Sequence, residues 1–117
     1  MFFNHKVEKI TEKSYLCSAE IDDLSPVFKG HFPVLPVVPG VYLVSLTSHF
    51  ISMIENKKFM LKEASSIKFT AIVEPSIKKI SLNMNILSSE KGMVLASLEM
   101  FNENKVFCKM KGLWHHE

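Results

Sequence analysis

The sequence contains no arginine, and all 14 of its basic residues are lysine. Proteins that read DNA sequence rely on arginine for bidentate contacts to guanine, and RNA-binding proteins stack its guanidinium on bases. The formal net charge is only +2, and no run of adjacent basic residues is longer than two. Nucleic acid is therefore not expected as the main partner.

The sequence also lacks a hydrophobic run long enough to span a membrane. Its longest nearly uncharged stretch, residues 31–54, is interrupted by three prolines and Gly40. Residues 1–6 lack the apolar core of a signal peptide. The two cysteines, Cys17 and Cys108, are far apart and have no metal-ligand spacing. We therefore expect reduced thiols in a cytoplasmic protein, with a disulfide as the alternative.

The length of 117 residues suits one domain with one core and is too short for two, so residues 1–117 are expected to form a single domain. Apolar residues make up 47% of the sequence and charged residues 22%, a balance typical of a soluble globular protein. Seven methionines and nine phenylalanines supply bulk for the core, and lining an apolar slot is the alternative role for some of them.

Five segments are predicted to be β-strands, because most of them alternate between apolar and polar residues. They span residues 13–22, 64–73, 79–86, 94–100 and 106–114. Short polar turns at residues 88–92 and 102–104 join the last three strands, which are therefore predicted to form an antiparallel meander.

One segment does not alternate. Residues 40–54 are almost entirely apolar and carry no formal charge before Glu55. The segment has a typical helix length, and a helix that is apolar on nearly all sides must be buried on nearly all sides. The pattern predicts an α+β fold in which a curved antiparallel sheet wraps one long central helix. Such a sheet leaves long edges, and pairing of an edge with a second chain predicts a homodimer.

Residues 30–41 read GHFPVLPVVPGV and lead into the predicted helix. Three prolines and two glycines shape the backbone of this short segment, as an accurately aimed side chain requires. The helix start after Pro39 and Gly40 presents free backbone N–H groups and the positive end of the helix dipole. Such a terminus can receive the oxygen of a polarised thioester carbonyl.

This segment resembles the G-H-F-P-x-x-P-x-x-P-G-V signature of the 3-hydroxyacyl-(acyl carrier protein) dehydratases of the FabZ and FabA type. Eight positions match, namely Gly30, His31, Phe32, Pro33, Pro36, Pro39, Gly40 and Val41. The stretch from Ile67 to Pro75 resembles, more weakly, the strand that follows the helix in that family. The resemblance extends from about residue 5 to the end of the chain. It implies the hot-dog fold and a dimer with two acyl-binding tunnels at the subunit interface.

The resemblance also implies roles for individual residues. His31 takes the proton from the carbon next to the thioester carbonyl, and the backbone N–H of Gly40 holds the carbonyl oxygen. Val41, Phe32 and Pro39 belong to the substrate-binding segment, with scaffolding as the alternative role for Phe32 and the prolines. Capping of backbone groups is the alternative role for His31. No metal or other cofactor is implied, because the substrate arrives on the phosphopantetheine of an acyl carrier protein or of coenzyme A.

The sequence departs from the family pattern on the helix. Family members carry an acidic residue, contributed by the partner subunit, five positions after the glycine of the P-G pair, and it helps the 3-hydroxyl group to leave. Ser45 occupies this position, with plain helix packing as its alternative role. His49 lies one turn further on and is a possible member of the same site, although a buried helix histidine is more often structural.

Three functions are compatible with this pattern. The first is a dehydratase that forms a trans-2-enoyl thioester in fatty-acid or polyketide-type synthesis, with Ser45 and a water in the role of the acid. The second is an acyl-thioester hydrolase in which His31, or a water that it activates, attacks the carbonyl. The third is a non-catalytic or partner-dependent subunit of a mixed dimer whose other chain carries the acid. Higher oligomers built from dimers fit equally well.

Overall fold

The structure, a computed structural model, describes residues 1–30 and 36–117. These residues form six β-strands, one long helix, one short helix and a 3₁₀ turn at Pro75–Ile77. In chain order the strands and helices are β1 (Phe2–Lys9), β2 (Ser14–Ile21), α1 (Val27–Gly30), α2 (Gly40–Glu55), β3 (Phe59–Phe69), β4 (Lys79–Glu90), β5 (Met93–Asn102) and β6 (Lys105–His116).

The strands form one six-stranded sheet in the order β1-β2-β4-β5-β6-β3. Every pairing is antiparallel. The predicted meander of the last three strands is confirmed, because β4, β5 and β6 are neighbours in the sheet as well as in the chain. The α+β architecture is confirmed too, with α2 packed against one face of the sheet and with β1 and β3 at its edges.

The core lies between α2 and the inner face of the sheet. The predicted alternation is confirmed in the central strands, where every second residue is buried, as Leu82, Met84, Ala96 and Met100 illustrate. Trp114 of β6 is fully buried. Both cysteines are free and fully buried, as predicted for reduced core residues.

One strand was missed and two predicted boundaries are wrong, and the local structure explains each difference. The first strand, β1, was not predicted because a register shift between Phe3 and Lys6 breaks its alternation. The strand predicted at 64–73 runs from Phe59 to Phe69, and two register shifts in its pairing with β6 remove the regular period. The turn predicted at 88–92 is shorter, since β4 continues to Glu90. Only Lys91 and Gly92 separate it from β5, both with positive φ, as a tight hairpin requires.

The prediction that α2 is buried on nearly all sides is wrong for the single chain. The sheet covers the face that carries Leu43, Leu46 and Phe50, each at most 3% exposed. The opposite face is open, and Val41 is 71% exposed and Met53 42% exposed. The physical reason is that the sheet of one chain packs against one side of the helix only. Among residues 1–30 and 36–117, no helix combines the length and apolar character that crossing a membrane needs.

Two serines tie α2 to the strands beside it. The indole N–H of Trp114 donates a hydrogen bond to the Ser48 hydroxyl at 3.1 Å. The Ser52 hydroxyl accepts a hydrogen bond from the backbone N–H of Phe59 at 2.9 Å and donates one to the carbonyl of Ser48 at 2.7 Å. These bonds fix the rotation of the helix about its axis relative to β3 and β6.

We predict that Ser48→Ala lowers the free energy of unfolding by about 1–3 kcal/mol, because it leaves the buried indole N–H of Trp114 without its acceptor. Urea unfolding followed by circular dichroism measures the change. Ser45→Ala is the matched control, since Ser45 carries the same side chain on the exposed face of the same helix. The control is expected to stay within about 0.5 kcal/mol of the wild type. Equal effects of the two substitutions would contradict the role assigned to Ser48.

Candidate active site

A groove of about 790 Å³ runs along the open side of α2, between the helix and the beginning of β3. Its helix wall includes Val41, Ser45 and His49, and its strand wall includes Met60 and Leu61. The helix residues recur every fourth position, so they lie on one face. Val41, Ser45 and His49, which the sequence analysis assigned to the site, therefore share this wall.

The serines of α2 differ in what they contribute to the groove. Ser45, Ser48 and Ser52 all line it. The hydroxyls of Ser48 and Ser52 are engaged by Trp114 and Phe59 and so belong to the fold. Ser45 is exposed, and within the described part of the chain its hydroxyl makes no hydrogen bond. Unlike the hydroxyls of Ser48 and Ser52, the Ser45 hydroxyl is held in place by none of the described neighbours.

The helix begins at Gly40, next to the groove. Pro39 precedes it in an extended conformation, with φ −60° and ψ 143°, and provides no side-chain cap. The amides of Gly40 and Val41 belong to the first turn of α2, where no preceding helical carbonyl is available to accept their hydrogen bonds. Their N–H groups and the helix dipole make this end electropositive, which suits a carbonyl oxygen that gains negative charge.

The Phe69 side chain lies directly against Gly40. A Cβ atom built on Gly40 would approach Cζ of Phe69 to 2.9 Å, closer than carbon atoms come in real structures. Phe69 ends β3 and is 50% exposed, so its ring forms a partly open wall beside the helix start. A side chain at residue 40 would therefore have to displace the Phe69 ring, and the backbone angle of Gly40 is not unusual.

Two histidines stack beside the groove. His5 of β1 and His49 of α2 have ring centroids 4.0 Å apart with an interplanar angle of 39°. His5 also contacts the Phe50 ring edge-on at 5.7 Å. Burial lowers the pKa of His5, and the positive charges of His49 and of the Met1 amino group lower it further. His5 is therefore protonated less readily than an isolated histidine.

A reactive thiol and a metal site are two other kinds of site to consider among the described residues. Burial raises the pKa of the Cys17 thiol to about 12, so it stays protonated near neutral pH and is not a thiolate nucleophile. In the described segments, His, Cys, Asp and Glu side chains nowhere cluster in threes that could hold a metal ion.

The predicted site residues are accounted for as follows. Pro39, Gly40 and Val41 lie at the helix start, and Ser45 and His49 line the groove one and two turns beyond. His31 and Phe32 lie outside the described residues, so the roles predicted for them stay predictions. Sequence reasoning missed two neighbours of the site, His5 and Phe69, because each reaches it through a contact between distant segments.

The comparison with protein families decides where the chain belongs. The model of the ApeI-like family, described as ApeI dehydratase, matches residues 7–111. The chain belongs to the ApeI-like dehydratase family. The resemblance seen in residues 30–41 is thereby confirmed.

Individual relatives of this ApeI-like chain are distant. The FabZ 3-hydroxyacyl-(acyl carrier protein) dehydratase of Coxiella burnetii is 25% identical over 114 residues, which cover 89% of this chain and 78% of the relative. The corresponding FabZ protein of Lactobacillus helveticus is 27% identical over 117 residues, which cover 92% of this chain and 78% of the relative.

Solved structures identify the fold. The dehydratase heterocomplex ApeI:P from Xenorhabdus doucetiae superposes with a TM-score of 0.72 at 17% identity, covering 99% of this chain and 97% of that one. Thioesterase superfamily member 2 from Mus musculus gives a TM-score of 0.68 at 14% identity, covering 95% of this chain and 80% of that one. At these identities the likeness establishes the fold, and the predicted hot-dog fold is confirmed.

We predict that Gly40→Ala destabilises the protein in the presence of Phe69, because the new methyl group displaces the aromatic ring. In a Phe69→Ala background the same change is expected to stabilise it by up to about 1 kcal/mol, since alanine restricts the unfolded chain more than glycine does. A double-mutant cycle of urea unfolding should give a coupling of about 0.5–3 kcal/mol between the two positions. Additive effects would contradict the contact.

Proposed function

We propose that this chain is a dehydratase that removes water from a 3-hydroxyacyl thioester and leaves a trans-2-enoyl thioester, in fatty-acid or polyketide-type synthesis. The observation that carries the proposal is the start of α2. The amides of Gly40 and Val41, which have no helical carbonyl partner, lie where the helix wall of a largely apolar groove begins, and a thioester carbonyl needs such an electropositive partner. Family membership supports the same reaction class.

In the proposed mechanism, His31 removes a proton from the carbon beside the thioester carbonyl. The electrons of that C–H bond move toward the carbonyl, and the N–H of Gly40 stabilises the oxygen that receives the negative charge. The bond between C3 and its hydroxyl then breaks, the C2–C3 double bond forms and water leaves. An imidazole suits the first step because it titrates near the working pH. The role of His31 rests on the match of residues 30–41 to the family signature.

The departing hydroxyl needs a proton, and the usual donor is absent from the helix. Ser45 stands at the position of the family's acid, and Glu55, at the far end of α2, accepts a hydrogen bond from Ser89 at 2.7 Å. Loss of a general acid typically costs about 10²–10⁴-fold in rate. A serine hydroxyl does not supply a proton at neutral pH as a carboxylic acid does, but the exposed Ser45 hydroxyl is able to bind the departing hydroxyl group or a water.

An acyl-thioester hydrolase is the second candidate, and the composition of the groove is what favours it. Between Gly40 and Ile54 the helix carries no carboxylate, and hydrolysis does not require protonation of a 3-hydroxyl group. The structural likeness to thioesterases does not choose between the two reactions, because likeness at this identity concerns the fold alone.

The substrate is proposed to arrive on an acyl carrier protein or on coenzyme A, and no other cofactor is required. Lys78 and Lys79 are exposed at the beginning of β4 and would attract an acidic carrier or a phosphate group. A cytoplasmic location is part of the proposal and is supported by the free thiols of Cys17 and Cys108.

We further propose that a second copy of this chain covers the open face of α2 and pairs with the edge strand β3. Met60, Ile67 and Phe69 of this strand are 39–50% exposed, and the neighbouring helix face exposes Val41 and Met53. An unpaired edge next to an apolar face is a surface that a second strand and helix can cover. The ApeI:P neighbour is described as a heterocomplex, so a mixed pair with an acid-bearing chain is the alternative outcome.

A product assay tests the reaction. The wild type is expected to convert a 3-hydroxyacyl thioester to an enoyl thioester, detected by mass spectrometry. His31→Ala should lower this rate by about 10²–10⁴-fold, since it removes the base. His116→Gln is the matched control, because His116 is exposed and lies outside the groove. Release of free thiol without enoyl product would contradict the dehydratase and support the hydrolase.

The oligomeric state tests the second copy. Light scattering during gel filtration should give twice the 13.4 kDa mass of one chain. Ile67→Glu should shift this mass toward the monomer, because it buries a charge in the proposed interface. Ile10→Glu is the matched control, an isoleucine on the turn after β1 that is 56% exposed, against 39% for Ile67. A monomeric wild type, or equal effects of both substitutions, would contradict the homodimer.

A further inference from the structure

The stacked pair of His5 and His49 joins the edge strand β1 to the central helix. Its ring centroids are 4.0 Å apart, and Phe50 borders both rings, at 5.7 Å from His5 and 6.1 Å from His49. Two imidazoles at this distance repel each other when both are charged, so the pair favours a single proton.

A β-bulge aims His5 at the helix. Phe3 pairs with Glu20 and Lys6 pairs with Ser18, so three steps along β1 are matched by two along β2. Asn4 sits in the bulge with a φ of 55°, and its side-chain amide donates a hydrogen bond to the Glu20 carboxylate at 2.5 Å. Bulges re-aim side chains and are frequent near active sites. This distortion of β1 accompanies the contact between the His5 and His49 rings.

His49 contacts His5 and also lines the groove. It lines the groove together with Ser45, which precedes it by one helical turn on the same face. The other titratable groups of the described groove wall are Lys57 and Lys58, which lie beyond the opposite end of the helix. The positive charge of the Met1 amino group also acts on His5 and lowers its pKa. His49 is therefore the imidazole of the described groove wall, and an imidazole is a common proton donor in catalysis.

The electrostatics of the pair also distinguish His5 from His49. Burial and the nearby positive charges lower the pKa of His5, so the neutral form of His5 is favoured. The neutral His5 ring then lies against the His49 ring, which borders the groove. A stacked aromatic ring also restricts the orientation of the His49 side chain.

We propose that His49 is the catalytic residue that donates a proton to the departing 3-hydroxyl group, and that His5 is its positioning residue. This inference rests on the proposed dehydratase function. The base takes the C2 proton, the C2–C3 double bond forms, the C3–O bond breaks, and the oxygen leaves as water with the proton from His49. Exchange with solvent then returns a proton to His49 and removes one from the base.

The test separates the two proton transfers. His49→Gln is expected to lower kcat for dehydration by about 10²–10⁴-fold. It should leave unchanged the exchange of C2 protons for deuterium in the corresponding saturated acyl thioester, which needs the base but no acid for a leaving group. Adding Ser45→Glu to this variant should restore dehydration by supplying a carboxylate one turn away. His116→Gln is the matched control.

Variants of His5 test its positioning role. His5→Gln should lower kcat with little change in KM, and His5→Phe should retain activity because it keeps a neutral ring against His49. A structural role alone would reduce the amount of folded protein and leave kcat per folded chain unchanged in both variants.

The outcomes distinguish this inference from the proposed function. Full dehydration by His49→Gln overturns the role of His49, and so does loss of C2 exchange together with dehydration. A wild type that neither dehydrates the substrate nor exchanges its C2 protons overturns the proposed function itself. Dehydration that is lost in His49→Gln and regained with Ser45→Glu supports the inference.

Discussion

The packing of α2 against the inner face of the sheet is the contact on which the rest of the molecule depends. Leu46, Phe50 and Ile51 are at most 3% exposed and join the strand residues in one core. Burying each such side chain contributes about 1.5–3 kcal/mol, a sizeable share of the roughly 5–15 kcal/mol that stabilises a domain. Because this face and the bonds of Ser48 and Ser52 fix the helix, the direction of its opposite face is fixed as well. The groove is that opposite face.

The fold was predictable where packing imposes a period. In β2, β4 and β5 the inner face must be apolar at every second position, and the sequence alternates accordingly. The bulge at Asn4 and the two register shifts of β3 break that period, so β1 was missed and the bounds of β3 were misplaced. The long helix was predicted by its uncharged apolar run. The exposed face of this helix was not predicted. An apolar face that packs on the sheet of its own chain has the same composition as one that a second chain covers.

The site was predictable where residues are neighbours along one element. Gly40, Ser45 and His49 follow from a motif that fixes the helix start and from positions a turn apart on it. The stacking of His5 on His49 and the contact of Phe69 with Gly40 depend on how distant strands meet the helix, and no local pattern encodes them. Ser45 stands where the family has a carboxylate. The contacts of His5 and Phe69 show which other side chains lie near that position.

The most direct measurement of the central claim follows oxygen from labelled water. In H₂¹⁸O, a dehydratase that also runs in reverse adds labelled water to the enoyl thioester, so the label accumulates in the C3 hydroxyl of the 3-hydroxyacyl thioester. A hydrolase instead carries the label into the carboxylate of a free acid. The account predicts ¹⁸O at C3 with the thioester intact. Label found in a carboxylate and absent from C3 would contradict it.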